Sequence, residues 1–404
     1  MLTRRKDLRA GLPVWAAARK PGVRHERLRG NLSTDVLVIG AGISGALVAE
    51  SLSAAGVAVV VADRRSPMAG STSASTALLQ YEIDTPLSVL SRSIGVANAE
   101  RIWRRSRLAL DALRDRTAWL GIDADVRRRD GLYLAGDLLD PVGLAREAKA
   151  RRRAGFEVAF LSRRELRERY GIRRPAALLG FDNLVADPRK LAAGYLRAAQ
   201  TRGARIFAPV EVVDVDESPR QIVATTSTGH ELRAQYVVYA TGYEIAKGIP
   251  AKGHRIASTW AIATRSQRSN LWPTECMIWE ASESYLYLRT TPDGRIICGG
   301  EDEPFQDDTL RDALLPRKVR ALERKLKALL PGVDATAAFH WTGSFGASET
   351  GTPSIGLVPG RRRTLAVLGY GGNGITFSML AAQIVRGIVT GTGDPDAKLF
   401  ALAR

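Results

Sequence analysis

The stretch Asp35-Val-Leu-Val-Ile-Gly40-Ala-Gly42-Ile-Ser-Gly45 predicts a buried strand, a glycine-rich turn and the start of a helix. A second apolar run, Val57-Ala-Val-Val-Val-Ala62, predicts a second buried strand and leads into the acidic Asp63. Strand, turn, helix, strand and carboxylate in this order are typical of a unit that binds a dinucleotide. An ordinary strand–turn–helix with incidental glycines is the alternative.

The three glycines and the carboxylate have separate physical roles in such a unit. Gly40 permits the tight turn, Gly42 removes a side chain that would keep the backbone from the pyrophosphate, and Gly45 lets the helix pack close to the strand. The phosphates then lie on unpaired amides at the helix N-terminus. Asp63 falls where a carboxylate accepts hydrogen bonds from the ribose hydroxyls. The sequence therefore predicts a nucleotide cradle here.

Length and composition indicate a globular protein with two domains. The chain has 404 residues, of which 45% are hydrophobic and 25% are charged. Its net charge of +17 is compatible with a nucleic-acid or membrane partner, but the basic residues fall in short groups without interleaved aromatic residues. We interpret the charge as an arginine-rich, solvated surface and expect no nucleic-acid partner.

The two cysteines, Cys276 and Cys298, do not have the spacing of a paired-cysteine motif. This excludes a disulfide framework and a cysteine zinc site, and it is typical of a reducing compartment. The N-terminal region has basic residues but lacks the unbroken apolar core of a secretory signal, and no apolar run is long enough to cross a bilayer. We expect a cytoplasmic protein without a membrane span or a metal site.

Hydrophobic periodicity divides the rest of the chain into helices and strands. Residues 1–33 are polar and punctuated by glycine and proline, so we expect an irregular arm over the first domain. Residues 70–79 form a loop of small and hydroxyl-bearing residues. Helices are predicted within 86–120 and at 163–170, 187–203 and 315–330. Strands are predicted at 131–135, 156–161, 204–208, 211–216, 221–226, 236–240, 258–264, 276–280, 285–289 and 295–298.

A second glycine-rich turn is predicted near the end of the chain. An apolar strand at residues 364–368 leads into Gly369-Tyr-Gly371-Gly372-Asn-Gly374, and an apolar helix follows to about residue 391. Such a turn directs backbone amides and the positive end of a helix dipole at a ligand. A flexible turn before a surface helix is the alternative.

Together these segments resemble the FAD-dependent oxidoreductases of the D-amino-acid oxidase, glycine oxidase and sarcosine oxidase superfamily, over nearly the whole chain after residue 33. The resemblance implies an α/β fold, with a Rossmann-like FAD-binding domain and an α+β substrate domain built on a mixed antiparallel sheet. The implied boundaries are an N-terminal arm at 1–33, an FAD-binding domain at 34–95, 181–248 and 340–404, and a substrate domain at 96–180 and 249–339.

The resemblance also implies which residues hold FAD, which we expect to be bound non-covalently. The first turn would hold the ADP half, the loop at 70–79 would line the pyrophosphate and flavin, and the C-terminal turn would meet the pyrimidine edge of the flavin. The implied cofactor-binding residues are Gly40, Ala41, Gly42, Ile43, Ser44, Gly45, Asp63, Arg64, Gly70, Ser71, Thr72, Ser75, Thr76, Ala77, Leu78, Glu211, Val212, Ala240, Thr241, Gly242, Gly371, Gly372, Asn373, Gly374, Ile375 and Thr376.

The antiparallel sheet is expected to select the substrate. Relatives that bind amino acids typically hold the carboxylate with a forked arginine, and at the position where many of them carry it this chain has Phe345. Arg289 could supply the charge instead, with Tyr285 and Tyr287 on the same face of its strand. A solvent-facing arginine and aromatic core packing are the alternatives. These four residues are the substrate-binding candidates, and no catalytic residue is predicted.

These features predict an enzyme that oxidises the carbon–nitrogen bond of a small primary or secondary amine or amino acid by hydride transfer to flavin N5. Its partners would be a small-molecule amine and oxygen or another electron acceptor. Two alternatives stay open. One is an RNA-modifying FAD-dependent amine oxidase acting on tRNA, in which the positive net charge would serve to bind the RNA. The other is a nucleotide-binding protein without turnover.

Overall fold

A computed structural model describes residues 2–251, 253–368 and 370–402. In this part of the chain the strands are β1 (Gly11–Leu12), β2 (Leu32–Ile39), β3 (Val59–Ala62), β4 (Leu78–Leu79), β5 (Arg127–Leu134), β6 (Val158–Ser162), β7 (Ala176–Val185), β8 (Arg205–Phe207), β9 (Val212–Glu217), β10 (Ile222–Thr226), β11 (Glu231–Tyr239), β12 (His254–Thr264), β13 (Met277–Glu280), β14 (Leu286–Thr290), β15 (Ile296–Glu303), β16 (Ala337–Ser348), β17 (Ser354–Leu357) and β18 (Thr364–Leu368). The helices are α1 (Ile43–Ser53), α2 (Leu87–Ile94), α3 (Val96–Trp119), α4 (Pro141–Arg153), α5 (Arg163–Tyr170), α6 (Pro188–Gln200), α7 (Asp308–Ala313), α8 (Leu315–Leu329) and α9 (Gly374–Val389).

The first sheet carries the predicted nucleotide unit at its centre, in the strand order β17-β18-β11-β2-β3-β8. Strands β18, β11, β2, β3 and β8 run parallel, and β9 and β10 extend antiparallel from β11. Val36 and Val38 of β2 pack in one core with α1 and α9, whereas Leu37 and Ile39 pack in another with β9 and β10. Because β2 is buried on both faces, its sequence is a continuous apolar run.

The second sheet has the order β1-β16-β12-β15-β14-β13-β5-β7-β4, with β6 paired to β7. Its strand pairs are antiparallel except for β13 and β5, which run parallel. Helix α8 covers one face, where Leu322 and Leu326 pack in one core with Ile262 and Leu288. The expected fold, a mixed α/β protein with a second and mainly antiparallel sheet, is confirmed. The domain boundaries stay a prediction.

The N-terminal arm differs from the expectation because it pairs with the second sheet. Gly11 and Leu12 form β1, which runs antiparallel to β16 at Trp341 and His340. The backbone N–H of Thr342 donates to the carbonyl oxygen of residue 10 at 2.9 Å. The composition of the arm indicates an irregular segment, but it contains no signal for a partner strand more than three hundred residues away.

Most other predicted elements are confirmed, α5 with the predicted bounds and α6 and α8 within a few residues of them. Strands β7 and β16 are not indicated by the sequence pattern, because glycine and small polar residues interrupt their apolar alternation. Helix α4 does have a local signal that would have identified it. Asp140 caps its N-terminus by accepting from the N–H of Gly143, and Pro141 follows in the first turn.

Helix α1 approaches the end of β2 so closely that there is no room for a side chain at Gly45. A Cβ at Gly45 would lie 1.8 Å from the carbonyl oxygen of Gly40, which is backbone and cannot move aside. We predict that Gly45→Ala lowers the free energy of unfolding by about 2 kcal/mol or more. Urea denaturation followed by circular dichroism measures this.

The matched control for that measurement is Gly22→Ala, since a Cβ at Gly22 has no heavy atom within 4 Å. Gly22→Ala should leave the urea midpoint unchanged within error. Equal midpoints for the two variants would contradict the close approach of α1 and β2.

Candidate active site

A cavity of about 520 Å³ lies where the parallel strands of the first sheet end, against one face of the second sheet. Gly40 follows β2, Asp63 follows β3 and Ala240 follows β11, and all three line the cavity. Thr259 of β12 and Phe345 of β16 line it from the second sheet. The crevice at the carboxyl ends of parallel strands is where open α/β sheets bind ligands.

Most of the predicted site residues line this one cavity. They are Gly40, Gly42, Ile43, Ser44, Asp63, Arg64, Gly70, Ser71, Thr72, Ser75, Thr76, Ala77, Leu78, Glu211, Val212, Ala240, Thr241, Gly242, Tyr285, Tyr287, Phe345, Gly371, Gly372, Gly374 and Ile375. The structure thus brings together segments from both ends of the chain. Ala41, Gly45, Asn373, Thr376 and Arg289 are not in the lining. Gly369, in the predicted C-terminal turn, lies outside the described residues.

Asp63 is held in place at the nucleotide end of the cavity by two backbone amides. The N–H of Ala41 donates to its Oδ2 and the N–H of Arg65 to its Oδ1, each at 2.7 Å. Burial raises the pKa of the carboxyl, while these two hydrogen bonds act in the opposite direction. The carboxylate is thereby fixed next to the first glycine turn, as a ribose-binding group requires.

Arg64 belongs to an ion-pair network that the sequence pattern did not reveal. Its guanidinium contacts Glu211 at 3.3 Å and Glu244 at 2.6 Å, and Arg65 contacts Glu244 at 2.7 Å. The backbone N–H of Lys6 also donates to Glu244, at 2.8 Å. The arm is thus tied to the nucleotide end. Glu244 lies only two residues after the predicted Thr241-Gly242 turn, and that proximity is the one signal by which it could have been found.

The loop at residues 70–79 is held by side chains from three distant parts of the chain. Trp341 Nε1 donates to the carbonyl oxygen of residue 74 at 2.8 Å, and Trp15 Nε1 to that of residue 75 at 2.7 Å. Arg289 Nε donates to the carbonyl oxygen of residue 76, also at 2.8 Å. These hydrogen bonds hold the carbonyl oxygens of residues 74–76, while the small side chains of the loop line the cavity.

This contact gives Arg289 a different position from the one expected. The side chain is 1% exposed, its Nη2 donates to the carbonyl oxygen of Ala186 at 2.8 Å, and its guanidinium lies 5.1 Å from the ring centre of Trp15. Burial lowers the pKa of the guanidinium. A group that is committed to backbone carbonyls and does not line the cavity is not favoured as a carboxylate ligand for a substrate.

The C-terminal turn is joined to residues 80–84. Asn373 Nδ2 donates to the carbonyl oxygens of Gln80 and Glu82, at 2.9 and 2.8 Å. Thr376 Oγ1 donates to the same Gln80 oxygen at 2.8 Å. Asn373 and Thr376 therefore support the turn from behind the cavity wall. This position explains why they are not in the lining, although the glycines beside them are.

The second sheet contributes aromatic and acidic groups to the wall. Tyr285 donates from its phenol to Asp302 Oδ2 at 2.6 Å, and its ring lies 5.7 Å from that of Tyr287. Burial raises the pKa of both phenols, so they are neutral at physiological pH. Asp302 and the cavity-lining Tyr243 and Asp84 are functional candidates that the sequence pattern did not single out.

Ser71 and Thr241 line the cavity, and the buried hydroxyl atoms Ser71 Oγ and Thr241 Oγ1 have no hydrogen-bond partner among the described residues. Buried polar atoms are otherwise almost always paired. Gly42, at the N-cap of α1, offers no side-chain cap to the helix amides. These are the groups that the phosphates and ribityl chain of a dinucleotide would satisfy, so the residues present fit FAD.

A comparison with protein families settles the class. The sequence model of one protein family, described as FAD dependent oxidoreductase, matches residues 35–387 of this chain. The chain belongs to this family. FAD is therefore its cofactor, and the chain is an FAD-dependent oxidoreductase. The resemblance drawn from the glycine turns is confirmed, whereas the role of each site residue stays a prediction.

Two relatives illustrate the similarity of this flavoenzyme to known proteins. It is 23% identical over 400 residues to the gamma-glutamylputrescine oxidoreductase of Escherichia coli, covering 94% of this chain and 89% of that protein. It is 26% identical over 380 residues to the glycine oxidase of Geobacillus kaustophilus, covering 88% and 92%.

The crystal structure of glycine oxidase from that species matches with a TM-score of 0.76 at 21% identity, over 93% of this chain and 99% of that one. The L-alpha-glycerophosphate oxidase of Mycoplasma pneumoniae, solved with FAD bound, matches with a TM-score of 0.74 at 14% identity, over 89% and 95%. At these identities the structural likeness concerns the fold. No helix in the described residues of the flavoenzyme is long and apolar enough to cross a membrane.

We predict that Arg289→Lys destabilises the flavoenzyme, because lysine cannot reach the separated carbonyls that the guanidinium binds together. The free energy of unfolding of the holoenzyme should fall by about 2 kcal/mol or more. Urea denaturation measures this, with Arg233→Lys on an exposed ion pair as the control. An unchanged stability together with a loss of substrate affinity would instead identify Arg289 as a substrate ligand.

We predict that acid precipitation releases the flavin into the supernatant. Cys276 and Cys298 are buried and are not in the cavity lining, and burial raises the pKa of Cys276 to about 11, so neither is placed to form a thioether with the flavin. The visible absorption of supernatant and pellet is the measurement. A yellow pellet that stays yellow after denaturing washes would show a covalent bond.

Proposed function

We propose that this flavoenzyme oxidises the carbon–nitrogen bond of a small primary or secondary amine or amino acid. The observation that carries the proposal is that Tyr285, Tyr287 and Phe345 line the same cavity as the nucleotide turns and the C-terminal turn. When bound, the flavin supplies the acceptor for a hydride, at N5. Two relatives are named gamma-glutamylputrescine oxidoreductase and glycine oxidase, and oxidation of nitrogen compounds by these relatives supports the proposal.

The protein's contribution would be to bind and orient the amine. Asp302 fixes the phenol of Tyr285, and Gly299 leaves room for Tyr287, since a Cβ at Gly299 would lie 2.3 Å from the phenol oxygen. Because both phenols are neutral, they act as hydrogen-bond donors and acceptors and not as charges.

The partners in this proposal are a small-molecule amine and oxygen or another electron acceptor. A cytoplasmic location is part of the proposal, and the free, buried state of Cys276 and Cys298 supports it. Oxidation of an amine on tRNA and nucleotide binding without turnover are not favoured by the comparisons, because the relatives are oxidoreductases over nearly their full length.

The test is an anaerobic screen in which candidate amines are mixed with the purified holoenzyme and the visible absorption of the flavin is followed. We predict that at least one small amine reduces the flavin and bleaches the absorption. Dithionite is the control that shows the flavin can be reduced. Bleaching by dithionite but by none of a broad set of primary amines, secondary amines and amino acids would refute the proposed function.

A further inference from the structure

Asp84 places a carboxylate on the wall of the cavity beside the C-terminal turn. Its Oδ2 accepts the backbone N–H of Gly372 at 2.8 Å, and its Oδ1 accepts no hydrogen bond from the described residues. The side chain is exposed, and it lines the cavity next to Gly371 and Gly372. One carboxylate oxygen is therefore available to a ligand.

Gly371 and Gly372 make the position of this carboxylate possible. A Cβ at Gly371 would lie 2.5 Å from Asp84 Oδ2, and one at Gly372 would lie 2.6 Å from Oδ1. Gly371 also has a φ of +53°, which side chains rarely adopt. The paired glycines thus have a second role besides the predicted turn, because they let a carboxylate approach the backbone at the start of α9.

Among the described residues, no positively charged side chain forms an ion pair with the carboxylate of Asp84. The basic side chains in the described lining are Arg64 and Arg65, which are paired with carboxylates at the nucleotide end. Of the carboxylates elsewhere in the lining, Glu82 faces the guanidinium of Arg151 at 3.9 Å and Glu280 pairs with Arg174. A carboxylate enclosed by protein is costly when it has no counter-charge.

The groups that face Asp84 come from several elements, and in the described part of the chain none of them is basic. The carboxylate of Asp302, in β15, repels the carboxylate of Asp84, and the N–H of Gly372 stabilises its negative charge. Three phenols also lie near Asp84: those of Tyr133 in β5, Tyr243 after β11 and Tyr285 before β14. Burial raises the pKa of Asp84 to about 6, and Asp302 acts in the same direction. The carboxyl is therefore mainly ionised at neutral pH.

We propose that Asp84 binds the ammonium group of the substrate. The enzyme thereby selects cationic amines over substrates whose own carboxylate would have to bind in the same part of the cavity. This rests on the proposed function, since it assigns the substrate class of that site. The ammonium group donates to Oδ1 of Asp84 and lies among the neutral phenols. Its nitrogen must lose one proton before the adjacent carbon can release a hydride, and Oδ1 of Asp84 is the acceptor in contact with that proton. A substrate carboxylate would meet a like charge and no arginine, because Arg289 is committed to carbonyls.

The test uses probes that cannot be oxidised, so that it is independent of turnover. The carbon that bears nitrogen in tert-butylammonium has no hydrogen, and pivalate is an anion of the same shape. Binding of each to the holoenzyme is measured by perturbation of the visible flavin spectrum. We expect the wild-type enzyme to bind tert-butylammonium at least about tenfold more tightly than pivalate.

Asp84→Asn should remove that preference, because asparagine can still accept from Gly372 but has no charge. Its affinity for tert-butylammonium should fall about tenfold or more, while its affinity for neutral tert-butanol should not change. Asp115→Asn, which removes an exposed carboxylate on the surface, is the control for net charge. Equal affinity for tert-butylammonium in Asp84→Asn and wild type, or a wild-type preference for pivalate, would overturn the proposal.

A pH titration of the wild-type enzyme keeps the proposal testable if the variant does not hold flavin. The ammonium stays protonated near neutral pH, so its affinity should rise as the pH rises through about 6 and Asp84 ionises. Affinity that is independent of pH between 5 and 8 would contradict the role of Asp84. Failure of this test would leave the amine screen unaffected, because no probe here reacts.

Discussion

Three consecutive carbonyl oxygens in the loop at residues 74–76 accept hydrogen bonds from Trp341, Trp15 and Arg289. The donors come from the second sheet and the arm, whereas the loop follows the second strand of the nucleotide unit. Small residues cannot hold such a loop by packing alone, because they bury little apolar surface. The relative placement of the two sheets, and with it the shape of the cavity, depends on these contacts.

Charge is distributed differently on the surface and in the cavity. The chain has a net charge of +17, yet carboxylates predominate in the described lining: Asp63, Glu82, Asp84, Glu211, Glu244, Glu280 and Glu283, against Arg64 and Arg65. Surface charge is screened over about 8 Å at physiological salt, whereas a carboxylate enclosed by protein acts on a ligand in contact with it. Net charge is therefore a poor guide to the ligand of this protein.

Local signals and the family resemblance predict the fold class and most of the residues that line the cavity, but not strands β7 and β16 or the pairing of the arm. Glycine spacing and the apolar run before Gly40 identify the nucleotide unit, because each of these features is complete within a few residues. Glu244 and Asp84 are different, since their roles arise from partners that are distant in the chain, such as Arg65 and Gly372. For Arg289, strand alternation gives the face but not the neighbours that surround the side chain.

The pairing of the arm with β16 joins positions that are 332 residues apart, Ala10 and Thr342. During synthesis the arm is made before β16 and has no partner strand until β16 has followed it. Leu2, Thr3 and Leu8 line the cavity, so one wall of the cofactor compartment is missing until then. The arm therefore closes this part of the cavity only in a chain that already contains β16.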